Sequence, residues 1–250
     1  MAKEKKNFYL LSKYYDLIHK NKNYQKEVNH IERLLKKYSN NKKNILEFGS
    51  GTGNHAKFFC KKNYKVHGIE KSRDMIKNCK KIKGFTFQLG DICKVKLKKK
   101  FDIVLSLFHV LSYQLTNFSL NNFFKNANYH LKPNGFLGID FWYTPAVIHQ
   151  KPEIRLEEMK KKNYKLFKLA RPLIKSKKII EVKYLISIKN SQNQNVNIIE
   201  ENHTMRHFSL LELKKFFNKY KFKLVHAAEL ISNKKPSKNT WGVFCLLQKN

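Results

Sequence analysis

Ile45-Leu46-Glu47-Phe48-Gly49-Ser50-Gly51-Thr52-Gly53 is the stretch whose reading decides the fold. Its apolar front, Asn44 to Phe48, reads as a short strand, and Asn54 to Lys62 reads as a helix, so the three glycines occupy a strand-to-helix turn. Glycine lets the backbone turn sharply there and leaves room for a ligand to lie against it. Two other glycine-loop chemistries fail on the residues. No Gly-Lys-Ser/Thr follows, which excludes a P-loop, and Asn54 stands where the dinucleotide fingerprint G-x-G-x-x-G wants glycine or alanine. Glu47, just ahead of the first glycine, would repel a pyrophosphate and attract the amino group of a methionine moiety.

Outward from this loop the strand-helix alternation repeats. Upstream, Tyr24, Val28, Ile31, Leu34 and Leu35 recur at helical spacing and predict an amphipathic helix over Asn23 to Tyr38. Downstream, Tyr64 to Ile69 is a strand, Ser72 to Lys80 a helix with Ser72 as N-cap, and Phe85 to Leu89 a strand. Phe101 to Leu107 is a nearly continuous apolar run, as expected of a central parallel strand covered on both faces. Asn117 to Leu131 predicts a helix stopped by Pro133 and Gly135, with Phe136 to Phe141 as the next buried strand. Such alternation builds a doubly wound parallel sheet whose ligands lie at the carboxyl ends of its strands.

After Pro145 the character changes. Leu166 to Leu169, Ile179 to Ile188 and Val196 to Ile199 are β-like runs divided by Pro172 and by the polar tract Asn190 to Asn195, which predicts an antiparallel insertion with a hairpin loop. Ser209 with Glu212 is a capping box opening a helix to Tyr220, and Phe222 to Ala228 with Trp241 to Leu247 close the sheet as an antiparallel pair.

Three acids fall at successive strand ends. Glu47 ends the first strand; Glu70 ends the second, at roughly the 20-residue spacing that suits an acid holding both ribose hydroxyls. Asp91, in Leu89-Gly90-Asp91-Ile92, is placed to receive an adenine amino group. Each could merely cap a following helix, but their joint placement with the glycine loop argues for one site.

With these residues in register, the chain resembles the class I S-adenosylmethionine-dependent methyltransferases: the Glu-x-Gly-x-Gly-x-Gly loop, Glu70, Asp91 and the Phe101-Asp102-Ile103-Val104 strand carry the likeness over roughly residues 40 to 140. Tyr15-Asp16-Leu17-Ile18-His19 with Asn23-Tyr24, Leu107-Phe108-His109-Val110-Leu111-Ser112-Tyr113 and Asp140-Phe141-Trp142-Tyr143 narrow it. They are similar to the bacterial N-methyltransferases of nucleotide-linked aminosugars, although Leu111-Ser112-Tyr113 stands where that subgroup carries Ile-Gly-His. The resemblance implies a Rossmann-like class I methyltransferase fold with an antiparallel β insertion after the fifth strand. It implies a helical segment over the cofactor at 1–40, a cofactor-binding core at 41–150, a substrate-covering insertion at 151–208 and the end of the core sheet at 209–250. S-adenosylmethionine is the implied cofactor and S-adenosylhomocysteine the product. Tyr24 is expected at the methionine end, and Gly49, Gly51, Gly53, Lys71, Met75, Ile92 and Leu107 complete the cofactor set with the three acids. Tyr15 is expected near the transferred methyl.

Methyl transfer needs a nucleophile in line with the sulfur-to-methyl bond, and an amine needs only to arrive deprotonated. His109 and Tyr113, following the fourth strand, are the candidates to accept a proton or orient the amine, against the plainer reading of a core histidine and a packed tyrosine. Trp142, Tyr143 and Trp241 are candidates for an aromatic wall around a sugar or base. Arginine is scarce, yet Arg155, Arg171 and Arg206 fall in or beside the insertion, where a planar fork would hold a diphosphate; ion pairing is the alternative. His203 and His207 lack a third ligand at suitable spacing, so no metal is expected.

The net charge of +34 over 250 residues would alone suggest nucleic acid. Lysine is spread through every segment without long tracts, however, and predicts a diffusely basic solvated surface, which disfavours nucleic acid without excluding it. An RNA methyltransferase would also be expected to carry an Asn/Asp-Pro-Pro-Tyr motif where Ser106 to Ser112 stands. A non-catalytic cofactor-binding protein stays open as well, because an acceptor residue can be lost while the cofactor loop survives. The basic start, Met1 to Lys6, resembles a signal peptide, but Ser12, Lys13 and Asp16 interrupt the apolar run. With no apolar stretch of spanning length and with Cys60, Cys79, Cys93 and Cys245 scattered, the reading is a cytoplasmic protein with reduced thiols and no membrane partner. The partner expected is a small-molecule acceptor; a homodimer is left open.

Overall fold

The computed structural model describes residues 12–38, 41–161 and 163–250, so the basic start considered above as a leader lies outside the described residues. Residues 12–18 form a helix (α1), followed by α2 (Tyr24–Tyr38), β1 (Asn44–Phe48), α3 (Asn54–Cys60), β2 (Lys65–Glu70), α4 (Arg73–Lys77), β3 (Phe85–Leu89) and β4 (Phe101–Ser106). A 3₁₀ turn (Val110–Tyr113) leads to α5 (Asn117–His130), β5 (Leu131–Trp142) and α6 (Thr144–Gln150). Then come β6 (Arg155–Lys161), β7 (Tyr164–Ser176), β8 (Ile179–Asn190), β9 (Val196–Arg206), α7 (Leu210–Lys219), β10 (Phe222–Glu229) and β11 (Gly242–Lys249).

The main sheet runs β3-β2-β1-β4-β5-β11-β10. β1 to β5 are parallel and β11 is antiparallel to both its neighbours, as the sequence predicts. The chain order reverses between β1 and β4, which opens the ligand crevice at their carboxyl ends. Every residue of β4 is buried, because both faces of the sheet are covered. On one face Val28, Ile31, Leu34 and Leu35 of α2 join Ala56 and Phe59 of α3; on the other, Leu120, Phe123 and Phe124 of α5 join Leu213 and Phe217 of α7. Each such side chain taken out of water stabilises the fold by about 1.5–3 kcal/mol before the entropy of ordering it is counted.

Three local readings need correction. The helix ends at His130, ahead of Pro133 and Gly135 as expected, but the next strand starts before Phe136: β5 begins at Leu131, pairs Phe101, then rejoins β4 at Phe136 opposite Ile103, so 132–135 bulge from an otherwise continuous strand. Pro172 does not divide the insertion but lies inside β7, beyond the end of β6 at the Arg155–Ala170 pair, where β7 has a neighbour on one side only and a missing donor is tolerated. Ser209 caps α7 by accepting from Glu212 N at 3.1 Å, but the box is half-made, since the Glu212 carboxylate pairs with Arg206 and Lys178. A full capping box, Thr116 with Ser119, instead opens α5.

The insertion is a four-stranded antiparallel sheet, β6-β7-β8-β9, with Asn190 to Asn195 as the β8–β9 turn. Alternate residues of β8, Ile180, Val182, Ile186 and Ile188, are buried, so one face packs inward. The Tyr143–Phe208 bridge ties its point of departure to its point of return. Among the described residues no helix is long and apolar enough to cross a membrane. The four cysteines are free.

Candidate active site

The glycine loop turns away from β1 with Gly49 at φ +71°, where a Cβ would stand 2.6 Å from Val110 Cγ2. Gly51 is also left-handed, at φ +55°, but its missing Cβ meets nothing within 4 Å, so it forms an open ledge. Glu70 braces that ledge: one carboxylate oxygen accepts from Gly51 N and the other from Ser72 N, both at 2.8 Å. A carboxylate has lone pairs to spare beyond these two bonds. Asp91 accepts from Cys93 N at 2.8 Å, closing its own turn, and Lys71 approaches its other oxygen at 3.7 Å from the surface. Beside these acids, Leu107 is buried and Ile92 packs against the main core, whereas Met75 is buried under the insertion sheet.

At the loop's other side Glu47 is buried, and among the described residues its Oε2 has no hydrogen-bond partner. Its Oε1 is 3.6 Å from His55 Nδ1, and His55 Nε2 is 2.8 Å from Glu27. Burial opposes charge on His55, but hydrogen bonds to Glu27 and Glu47 and their fields outweigh it and lift its pKa to about 9. Tyr24 packs edge-on against His55, with ring centroids 4.9 Å apart. A buried, orphaned carboxylate oxygen beside an open backbone ledge is a receptor for a cation such as an α-ammonium group.

The N-terminal helix closes over the loop. Asp16 accepts from Thr52 Oγ1 at 2.9 Å and Asn54 Nδ2 at 2.8 Å, and Asn78 donates to Ser12 at 2.9 Å. This brings Tyr15 against His19 at 4.5 Å, and His19 against Phe108 at 5.0 Å. Burial, followed by the proximity of Tyr24, Tyr113, Glu70 and Asp16, raises the Tyr15 pKa, so it stays a neutral phenol.

After β4, Phe108 and His109 both take φ +61°, an unfavourable conformation for two consecutive non-glycine residues. Asp140, buried near the end of β5, holds them by accepting from Phe108 N at 3.1 Å and His109 N at 2.8 Å. His109 Nδ1 lies 3.7 Å from the same carboxylate, and burial above all lowers the His109 pKa. Tyr113 Oη sits 2.6 Å from His203 Nδ1, while His207 turns to Thr144 at 2.9 Å, so the two histidines serve different places.

Of the proposed acceptor wall, Trp142 and Trp241 meet edge-to-face at 6.1 Å over Val147, Ile180 and Val182. Tyr143, the next residue along, faces the opposite way and packs on the main core, so it does not join them. Arg155 lies on the same face as its cross-strand partner Ala170 but is exposed at the sheet's edge strand, and Arg171, on the opposite face, is exposed as well. Arg206 is buried and committed to Leu115 O, Asn117 Oδ1 and Glu212, so its fork is used in the fold. The sequence reading missed Asp16, the Glu27–His55 pair, Asp140 and Glu201. Only Asp140 left a signal, as an acid inside a buried apolar strand.

Residues 45–135 match the methyltransferase domain family. That match takes in the glycine loop, Glu70 and Asp91 and runs from β1 into the start of β5. It is similar to the dTDP-3-amino-3,4,6-trideoxy-alpha-D-glucopyranose N,N-dimethyltransferase of Streptomyces venezuelae, 29% identical over 134 residues, which cover 52% of this chain and 56% of that protein. The chain spans about half the length of the curated relatives it matches. In fold it superposes on an S-adenosylmethionine-dependent methyltransferase from Clostridium acetobutylicum with a TM-score of 0.80, at 17% identity over 95% of this chain and 96% of that one. It superposes on DesVI of Streptomyces venezuelae with a TM-score of 0.79, at 19% identity over 92% and 95%. The cofactor of this methyltransferase fold is S-adenosylmethionine, and the strand-end residues suit it. Glu47 Oε2 is buried and unpartnered among the described residues, Gly51 is open, and Glu70 and Asp91 stand at the next two strand ends.

Proposed function

We propose that the chain transfers a methyl group from S-adenosylmethionine to the amine of a nucleotide-linked aminosugar. The observation that carries this reading is the buried Glu47 oxygen, without a partner among the described residues, set beside the open Gly51 ledge. When bound, the cofactor supplies an electrophilic methyl group. Glu47 and Tyr24 receive its amino-acid end, Glu70 its ribose and Asp91 its adenine, with Met75, Ile92 and Leu107 as apolar neighbours. α1 shuts this crevice from water through Asp16, and Tyr15 faces the space between cofactor and insertion. The likeness to a dTDP-aminosugar N,N-dimethyltransferase supports an amine as acceptor. Trp142 and Trp241 would face a nucleotide-linked sugar, with Arg155 exposed on the edge strand within reach of its diphosphate.

The test pairs calorimetric titration of S-adenosylmethionine with labelled methyl transfer to dTDP-3-amino-3,4,6-trideoxy-alpha-D-glucopyranose, small amines and total RNA. Cofactor binding with transfer to the aminosugar is the expected result. Transfer to RNA alone would move the function to nucleic acid, and binding without transfer to any acceptor would favour a non-catalytic cofactor binder.

A further inference from the structure

The inner face of the inserted sheet is apolar at both ends and polar between them. Cross-strand partners share a face, so Leu166, Ile186, Ile188 and Ile199 lie at one end, over Tyr14, Ile18 and Met75. Ile180 and Val182 lie at the other, over Val147 and the two tryptophans. Lys168, Tyr184, Glu201 and His203 occupy the middle. Lys168 is paired with Glu157 at 3.5 Å and lies 5.1 Å over the ring of Tyr184. Among the described residues Glu201 has no such cation. It is buried, its Oε1 has no hydrogen-bond partner among them, and burial pushes its pKa up to about 7.

Tyr113 crosses from the main sheet to this polar middle. Its 2.6 Å contact with His203 Nδ1 links the turn after β4 to the polar middle of the insertion, and 44% of Tyr113 remains open to a ligand. Burial, and next the Lys168 ammonium, lower the His203 pKa, so its ring is neutral. A neutral His203 that accepts from Tyr113 at Nδ1 carries its proton on Nε2, which stands 4.0 Å from Glu201 Oε2. A shift of about 1 Å, or one bridging water, completes that bond. The other ionisable neighbours include Tyr15 of α1, which feels Tyr113, His19 just after α1, which feels His203 and Lys168, Tyr184 of β8, and Glu70 of β2, which acts on Tyr113. Glu157 of β6 is held by Lys168 and Arg206 of β9 by Glu212.

We propose that Tyr113, His203 and Glu201 form a proton relay that deprotonates the acceptor amine. The relay rests on the methyltransferase reading. Tyr113 is its catalytic residue; His203 and Glu201 are positioning residues that act through it. The substrate ammonium gives a proton to Tyr113 Oη while the phenolic proton passes to His203 Nδ1 and the Nε2 proton passes to Glu201. The freed nitrogen lone pair then forms the N–CH₃ bond as the S–CH₃ bond breaks with its electron pair left on sulfur. When product leaves, the protons return in reverse order and one is delivered to water.

Two measurements test the relay. In the protein alone near pH 7, ¹⁵N-histidine NMR, with His203→Gln to assign the signal, should show His203 neutral with its proton on Nε2. The Nδ1–H tautomer or an imidazolium would overturn the relay without any acceptor being present. With the dTDP-aminosugar as acceptor, wild-type kcat/KM should rise with pH through about 7 and level off. Glu201→Gln and Tyr113→Phe should lose roughly 10²-fold near pH 7 and converge on wild type at high pH, where the amine arrives unprotonated. Cofactor affinity should stay within about twofold of wild type. An equal loss at every pH would mark a structural role and overturn the proposal. Absence of transfer by wild type would count against the aminosugar reading, while the tautomer would still decide the relay.

Discussion

Asp140→Asn should unclamp the turn after β4. Each oxygen of the Asp140 carboxylate accepts one backbone N–H, from Phe108 at 3.1 Å and from His109 at 2.8 Å. Asparagine keeps one acceptor and sets an NH₂ group against the other N–H, so one charge-assisted bond worth about 2 kcal/mol is lost, and a buried donor left facing a donor adds about 1–3 kcal/mol. Asp140 is only 2% exposed, so solvent does not soften the loss. At roughly 2–4 °C per kcal/mol for a chain of this size, Tm should fall by on the order of 10 °C in a calorimetric scan. The carboxylate also holds two left-handed non-glycine residues, each storing about 1–3 kcal/mol of strain. Phe108→Gly in the Asp140→Asn background should therefore recover part of the stability. Because His109 and Tyr113 ride on this turn, methyl transfer should fall at least tenfold more than cofactor affinity does. A Tm within about 2 °C of wild type, with no gain from the added glycine, would refute the clamp.

Glu70→Ala should weaken S-adenosylmethionine binding by about 1.5–3 kcal/mol in calorimetry, since it removes charge-assisted hydrogen bonds and frees the Gly51 ledge that Glu70 braces; unchanged affinity would remove Glu70 from the site. Tyr15→Phe should lower turnover more than cofactor affinity, and equal loss of both would move Tyr15 from chemistry to binding. The His55 pKa is raised to about 9 by its two glutamates, against about 6.5 in an unfolded chain. Its contribution is therefore fully present below about pH 6.5 and lost as pH rises through about 9. Urea midpoints should fall across that window in wild type, and His55→Gln should flatten the decline; a wild-type midpoint that holds steady over the window would contradict the charged His55.

The parallel core was legible because its signals are local. The run Phe101 to Ser106 has no polar break except Asp102 and becomes a strand buried along its whole length, and Ser72 caps α4 by accepting from Met75 N as its position before a helix suggested. The glycine loop and three acids were readable for the same reason: a strand end is set by a few neighbouring residues. What escaped was set by long-range partners. Nothing around Arg206 shows that Glu212 and Asn117 will claim its guanidinium, and nothing around Glu201 shows that it will be buried opposite Tyr184 without a cation. Pro172 was misread because its tolerance depends on where β6 ends, which is a property of a different strand.

The two halves of the site differ in a way that bears on specificity. The cofactor half is built from strand ends of one sheet and from backbone groups, so its geometry follows directly from parallel register such as Glu47 opposite Gly68 and Glu70 opposite Leu89. The proposed acceptor half is built from a separate sheet, tied to the main one at its root by the Tyr143–Phe208 bridge and beyond it by side chains, Tyr113 to His203 on the turn after β4 and Tyr14 of α1 to Asn197. Substitutions on the inner face of β7 to β9 therefore change the acceptor surface without disturbing the register that positions the cofactor acids. Exchanging Lys168, Tyr184 or Glu201 should alter which acceptor is methylated while leaving cofactor affinity near that of wild type, and a matching loss of cofactor affinity in all three would show that the halves are coupled.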